Sequence, residues 1–175
     1  MAEMTRHKTL KFLHIVGTVG FCAALLALLV LHASLPDPSQ LQQFASIRIA
    51  MGNVAKWLLL PSTGLVVVSG LIAMALNDVY KNAGWVWVKL ATGVLILEGT
   101  LVYVQAPMER AANDARSALE GEFDLSSLGS VLGAEWSSIW VILAVAVVNI
   151  VLGVYRPRIL RQSAANSETP ASEES

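Results

Sequence analysis

Four long apolar runs, separated by more polar segments, dominate the pattern along the chain. They cover residues 10–32, 54–76, 86–106 and 137–155. Because an α-helix rises about 1.5 Å per residue, roughly 20 apolar residues suffice to cross the ~30 Å hydrocarbon layer of a bilayer. The pattern predicts four membrane-spanning helices, and the predicted fold is an all-α integral membrane four-helix bundle.

Aromatic residues support these limits. Tryptophan and tyrosine concentrate at the interfaces of a membrane, where an apolar ring and a polar group are both accommodated. Six such residues fall near the ends of the predicted spans: Trp57, Trp85, Trp87, Trp136, Trp140 and Tyr155. The first run also has the basic start of a signal peptide, but its apolar part exceeds the usual 7–15 residues, so we interpret it as a span.

Basic residues near the span ends predict the orientation. They precede the first run and follow the last one, as Arg6, Lys8, Lys11, Arg156, Arg158 and Arg161. Cytoplasmic flanks of membrane helices are enriched in lysine and arginine. We therefore expect both termini on the cytoplasmic side of the membrane.

The connection 107–136 is acidic and is expected to be external. Its segment MERAANDARSALEGEF has the spacing of a weakly amphipathic helix. This helix either continues the third span past Pro107 or lies on the outer surface. Its apolar face would comprise Met108, Ala112, Ala115, Leu119 and Phe123. Residues 1–162 then form the membrane domain, and the polar tail 163–175 is expected to be disordered.

Composition agrees with a membrane protein. Hydrophobic residues make up 55% of the chain and charged residues 14%. The mean hydropathy of +0.59 is too high for a soluble domain of this size. The net charge of −1 gives no indication of a nucleic-acid partner. A single cysteine, Cys22, excludes an internal disulfide, and we interpret it as a small core residue.

Few ionisable or amide side chains lie inside the predicted spans. More than two residues from a span end, they are His14, Lys89, Glu98 and Asn149, with His32 at an outer end. Such groups in lipid usually face the bundle interior and mark function. His14 and Lys89 both fall roughly 5 Å inside the cytoplasmic boundary, and Asn149 falls in a similar layer. Glu98 lies ~14 Å farther along the third helix than Lys89, on its opposite side.

Small residues accompany the first two groups. Gly17 shares a helix side with His14, and Gly93 shares one with Lys89. Small residues let helices approach closely or let a flat ligand enter. The two glycines are therefore candidate contacts for a planar cofactor.

Each polar group also has a purely structural interpretation. Lys89 can reach the headgroups, His14 can be a neutral core histidine bonded to a carbonyl, and Asn149 can link two helices. Glu98 is too deep to reach the headgroups. It is either protonated and hydrogen-bonded or paired with a group on another helix.

An axial histidine in a helical bundle is a common way to hold b-type haem. His14 would be the iron ligand. Lys89 would bind a propionate, or supply the second ligand when deprotonated. No other histidine lies at that level, so a second histidine ligand would have to come from a symmetric dimer. Copper would require clustered methionine, histidine or cysteine, and the five methionines are scattered.

Three segments, LKFLHIVGTVG, WLLLPSTGLVVVSGL and AGWVWVKLATGVLIL, resemble a family of small bacterial integral membrane proteins of unknown function. That family is similar to the J-type protoporphyrinogen IX oxidases and to copper-resistance D type proteins. The resemblance implies haem b as cofactor, the bacterial cytoplasmic membrane as location, and functional roles for His14 in KFLH and Lys89 in GWVWVKL. The helix-1 stretch ALLALLVLHASL lacks the arginine that the oxidases carry there.

Three hypotheses follow. The first is a multi-pass, haem-binding redox or electron-transfer protein, in which Lys89 would also be the catalytic residue if the chain is an oxidase. The second is a non-enzymatic structural or assembly protein of the membrane. The third is metal or small-solute transport coupled through Glu98. Besides the lipid bilayer, a second copy of the chain or a redox protein is the expected partner.

Overall fold

The computed structural model describes residues 2–76, 84–121 and 131–155, which are almost entirely helical and contain no strand. The prediction of an all-α chain with four helices long and apolar enough to span a membrane is confirmed. Which side the termini face stays a prediction. The predicted disordered tail 163–175 and the second connection, 77–83, lie outside the described residues. The helices are α1 (Ala2–Ala33), α2 (Leu41–Val54), α3 (Leu60–Ala75), α4 (Gly84–Thr100), α5 (Ala106–Leu119) and α6 (Leu132–Tyr155).

Two of the four spans belong to helices much longer than predicted. α2 continues into α3 through a π-helical turn at Ala55–Leu59, and α4 continues into α5 through one at Leu101–Gln105. The 35 residues of Leu41–Ala75 extend over roughly 52 Å, well beyond a hydrocarbon layer of ~30 Å. α2 and α5 therefore extend past the apolar layer, on the side opposite the N-terminus of α1.

Proline explains the position of both π turns. Pro61 and Pro107 each follow a π turn by two residues. A proline inside an α-helix lacks the N–H for its hydrogen bond, and its ring clashes with the carbonyl four residues earlier. The wider turn, closed by a bond from the N–H of Leu60 to the carbonyl of Ala55, accommodates the ring without ending the helix. Of the two alternatives for the segment after Pro107, the structure has the continuation of the third span.

The extensions pack against each other through small side chains. α5 buries Met108, Ala111, Ala112, Ala115 and Ala118. Three of these belong to the predicted apolar face. Leu119 of that face is exposed, and Phe123 lies outside the described residues. A Cβ atom at Gly52 of α2 would lie 2.6 Å from the Cβ of Ala112, so this close approach requires glycine.

Within the membrane layer, α1, α3, α4 and α6 form the four-helix ring. α1 packs on α3 and α6, and α4 packs on α3 and α6. The main apolar core lies where the two π turns meet α1 and α6. Its fully buried members include Leu25, Leu28, Met51, Leu59, Val104, Met108 and Ile139. Because lipid is itself apolar, dispersion contacts from close packing stabilise this core rather than exclusion of water.

A buried ion pair joins the extension to the bundle. Two guanidinium nitrogens of Arg48 in α2 donate to the two carboxylate oxygens of Glu135 in α6, at 2.6 and 2.8 Å. Both side chains are 2% exposed. This bidentate geometry is the strongest form of the arginine–carboxylate contact. It holds the start of α6 against α2.

His32, near the end of α1, completes this cluster. Its Nε2 lies 3.1 Å from the backbone oxygen of Leu132 and 3.9 Å from a carboxylate oxygen of Glu135. Its ring also packs on Trp136, with 5.3 Å between the centroids. Helices α1, α2 and α6 are thus held together by one group of polar side chains, which we call the His32–Arg48–Glu135 cluster.

Removing one partner of the ion pair should destabilise the protein strongly. In Arg48→Met, Glu135 would be left buried without its counter-charge, and the free energy of unfolding should fall by about 3–5 kcal/mol. Denaturant unfolding in detergent micelles, followed by circular dichroism, measures the loss. The double variant Arg48→Met/Glu135→Leu should recover most of it, because neither charge is then desolvated.

The pair of Lys56 and Glu109 provides a matched control. These side chains are 3.3 Å apart, and they are 51% and 40% exposed. Lys56→Met should cost only about 0–1 kcal/mol, because solvent already screens this interaction. Equal losses in the single and double variants at Arg48 would contradict the account of the buried pair.

Candidate functional site

A cavity of about 360 Å³ lies between the four helices of the ring. It occupies the half of the bundle nearer the N-terminus of α1. Its wall is mostly apolar, and includes Phe21 of α1, Val66 of α3, Ile96 of α4 and Ala146 of α6. The polar side chains in the wall are few: His14, Thr18, Thr63, Ser69, Lys89 and Asn149. A concave apolar site with a few polar groups is the usual form of a small-molecule site.

His14 is oriented by the backbone of α3. Its Nδ1 lies 3.0 Å from the carbonyl oxygen of Val66 and 3.1 Å from the hydroxyl of Ser69. The hydroxyl of Ser69 donates to the carbonyl of Leu65 at 2.6 Å. Since a carbonyl oxygen can only accept, the hydrogen bond to Val66 places a proton on Nδ1. In the neutral imidazole, Nε2 then carries the free lone pair.

Lys89 and Asn149 line the same cavity from α4 and α6. Thr92, one turn beyond Lys89, has its hydroxyl 3.3 Å from the side-chain oxygen of Asn149 and 3.0 Å from the carbonyl of Lys89. The structure thus brings His14, Lys89 and Asn149 to the wall of one cavity. Asn149 also takes part in a contact between two helices, as in the structural interpretation of this residue.

The two glycines predicted as cofactor contacts lie in different surroundings. Gly17 is buried against α3, and a Cβ atom there would lie 3.0 Å from both the backbone nitrogen and a methyl group of Val66. Gly93 lines the cavity, and a Cβ atom there would meet nothing within 4 Å. Gly17 therefore sets the approach of α1 to α3, whereas Gly93 leaves open space beside Lys89.

Glu98 lies apart from this cavity. Its side chain is exposed on α4 and is not part of the cavity wall. Lys89 and Glu98 thus occupy opposite sides of one helix, as nine residues of helical spacing require.

Sequence reasoning did not identify two sulfur-containing side chains in the wall. Cys22 of α1 and Met74 of α3 both line the cavity. Met74 follows Val67 by seven residues and Gly70 by four, so these three residues lie on one side of α3. All three line the cavity, and their spacing in the sequence could have indicated this. Among the described residues, no group of three His, Cys, Asp or Glu side chains is arranged to hold a metal ion.

The His32–Arg48–Glu135 cluster was also not predicted. The signal was present in α2 and the π turn after it, where Phe44, Arg48, Met51 and Ala55 follow the spacing of one helix face. An arginine in an otherwise apolar row indicates a buried charge with a partner. Glu135 was counted with the acidic connection, where nothing in the sequence separates it from exposed acids.

Comparison with known proteins gives no assignment. The sequence matches no protein-family model, no curated protein and no solved structure.

The contrast between the two glycines can be tested by substitution. Gly17→Val would force α1 away from α3, and such overpacking costs about 1–3 kcal/mol. Gly93→Ala adds its methyl group to open space and should leave the free energy of unfolding nearly unchanged. Unfolding in detergent micelles compares the two variants. Equal destabilisation at both positions would contradict the packing described here.

Proposed function

We propose that the cavity binds a planar, amphipathic redox cofactor, haem b, with His14 as an axial ligand of the iron. The observation that carries this proposal is the hydrogen bond from Nδ1 of His14 to the carbonyl of Val66. Metal-binding histidines usually donate their second ring N–H to a carbonyl or carboxylate, which fixes the ring and makes the other nitrogen more basic. His14 meets this condition at the wall of an apolar cavity.

The other residues of the wall fit the same group. The apolar side chains suit a macrocycle, and the open space at Gly93 suits a flat ring edge. Lys89 supplies a cation for a carboxylate of the ligand. The volume of about 360 Å³ lies within the range of about 300–1,000 Å³ that is usual for ligand sites. Cys22, Met74 and, when deprotonated, Lys89 carry atoms that can ligate iron.

Haem b, when bound, would supply one-electron exchange, so the proposed role is redox or electron transfer in the membrane. The chain would orient the cofactor through His14, bind its carboxylate through Lys89 and exclude water with the apolar wall. The motifs KFLH and GWVWVKL support this role through their resemblance to the J-type oxidases. Oxidation of a porphyrinogen, with Lys89 as a catalytic residue, is the narrower form of the proposal.

Replacing His14 should abolish haem binding. Protein purified in detergent from cells supplied with haem precursor should show a Soret band, and His14→Ala should lose it because the axial ligand is gone. Absorption spectroscopy of matched preparations provides the measurement. A colourless wild-type protein, obtained with haem available, would refute the proposal.

His32 provides the matched control for this experiment. It lies outside the cavity wall, so His32→Gln should retain the Soret band at the wild-type ratio of haem to protein. Loss of the band in both histidine variants, with equal loss of folded protein, would indicate a folding defect rather than a missing ligand.

Lys89→Met should weaken haem binding without abolishing it. A hydrogen bond to a charged group contributes about 1.5–3 kcal/mol, so the dissociation constant should rise by about tenfold or more. Titration of the apoprotein with haem, followed at the Soret band, measures the change. An unchanged constant would show that Lys89 makes no contact with the carboxylates.

A structural role is the second candidate. Two hydrogen bonds already link His14 to α3, and such bonds can serve helix packing alone. In that case His14→Ala would lower the free energy of unfolding, and added haem would not stabilise the wild-type protein. If haem binds as proposed, it should raise the unfolding temperature of the wild type and leave that of His14→Ala unchanged.

A further inference from the structure

The outward side of α4 carries a carboxylate surrounded by apolar side chains. Glu98 lies at the centre of this surface, and it forms no hydrogen bond or ion pair with any residue that the structure describes. Its exposed neighbours on the same side of the helix are Trp87, Ala91, Leu95 and Val102. Val94 borders this side and also lines the cavity. We call this surface the Glu98 face.

The depth of Glu98 makes its exposure costly. It follows Trp87 by eleven residues, which corresponds to roughly 17 Å along the helix and places it near the middle of a ~30 Å hydrocarbon layer. A glutamate side chain is too short to reach the headgroups from there. Ionisable residues at this depth normally face a protein partner or a water-filled cavity, whereas Glu98 lies on the side away from the cavity.

The described residues of this chain offer no cation to Glu98. Lys89 lies on the opposite side of α4, Arg48 is bound to Glu135, and Lys56 lies beside Glu109. The other described cations lie toward the helix ends, in the first turns of α1 and in α5: Lys8, Lys11, Arg110 and Arg116. The outward residues in the middle of α1 and α6 are apolar: Val16, Val19, Leu26, Val141, Val145 and Val148.

A second copy of the chain is also a poor match for this surface. A symmetric pair formed through the Glu98 face would bring two carboxylates together at equal depth. Neither copy would then supply a counter-charge, and two ionised carboxylates in a medium of low dielectric constant repel strongly. Charge complementarity therefore selects a different protein that carries a cation.

We propose that the Glu98 face docks a membrane-spanning helix of another protein, one that carries a lysine or arginine at mid-membrane depth. The neighbouring apolar side chains would pack along that helix, and Glu98 would pair with its cation. This proposal does not rest on the proposed cofactor site, because Glu98 is not part of the cavity wall.

A designed helix tests the proposal. The probe is a synthetic leucine–alanine peptide that spans the bilayer and carries one central lysine and a fluorophore. The full-length protein, labelled at its N-terminus, is reconstituted in phosphatidylcholine vesicles, and energy transfer reports association. The lysine peptide should bind the wild type about tenfold more tightly than Glu98→Gln. A peptide with central leucine should bind both proteins equally weakly.

Relocating the carboxylate provides the matched control. Val145 is exposed on α6 and lies at the same predicted depth as Glu98. Val145 is eight residues from the start of the span 137–155, and Glu98 is eight residues from the end of the span 86–106, which lies on the same side of the membrane. The double variant Glu98→Gln/Val145→Glu should bind the lysine peptide no better than Glu98→Gln alone. Binding equal to the wild type would overturn the proposal, because any carboxylate facing lipid would then suffice.

Two further results would overturn it. One is equal binding of the lysine peptide to the wild type and Glu98→Gln. The other is energy transfer between two differently labelled populations of the protein that is lost in Glu98→Gln, because the occupant would then be a second copy.

Discussion

The buried pair of Arg48 and Glu135 is the contact on which the arrangement of the helices depends. Taking two charges out of water is expensive, and the cost is offset only when the geometry is good and the remaining hydrogen-bonding groups are satisfied. Here both carboxylate oxygens accept from the guanidinium. A shift of α6 by one residue along its axis would break both bonds. The pair therefore specifies how α6 enters the bundle.

Through the long helices, this ion pair also determines how other parts of the bundle are placed. α2 and α3 form one nearly continuous helix, so fixing α2 at Arg48 also fixes the line along which α3 crosses the membrane. The π turns let that helix and its neighbour pass their prolines without breaking, and the two turns contact each other. The end of the bundle near these turns is consequently well packed, with Leu25, Leu28 and Ile139 fully buried.

The opposite end is packed less completely, and the cavity lies there. α1 is drawn against α3 by the contact of Gly17 with Val66 and by the hydrogen bonds of His14. Facing them, α4 has glycine at position 93 and leaves space. A bundle that is tight at one end and open at the other gives a preformed site. The entropy of ordering its wall has then been lost during folding rather than during binding.

Sequence reasoning predicted the number of spans and the shared layer of His14, Lys89 and Asn149, because hydropathy and a fixed rise per residue determine both. It also predicted that Lys89 and Glu98 lie on opposite sides of α4. It predicted a helix after Pro107, with continuation of the third span as one of two alternatives, but it did not predict α2 or the packing of α2 on α5. That packing is held by alanine and glycine contacts, which carry no strong hydropathy signal. Which side chains line the cavity also depends on the rotation of each helix, which depth alone does not determine.

Helix α4 carries one polar residue of each of the two proposals, Lys89 and Glu98. α4 presents Lys89 to the cavity and Glu98 to the outside, roughly 14 Å apart along the axis. The helix holds both positions in a fixed relation, because each residue is tied to its neighbours by backbone hydrogen bonds. Val94 lies between the two positions, since it borders the Glu98 face and also lines the cavity. On the cavity side of α4, Gly93 leaves open space beside Lys89, whereas Gly17 of α1 is in tight contact with α3. The cofactor site and the Glu98 face therefore differ in kind: one is a space enclosed by helices and the other is a side chain without a partner among the described residues.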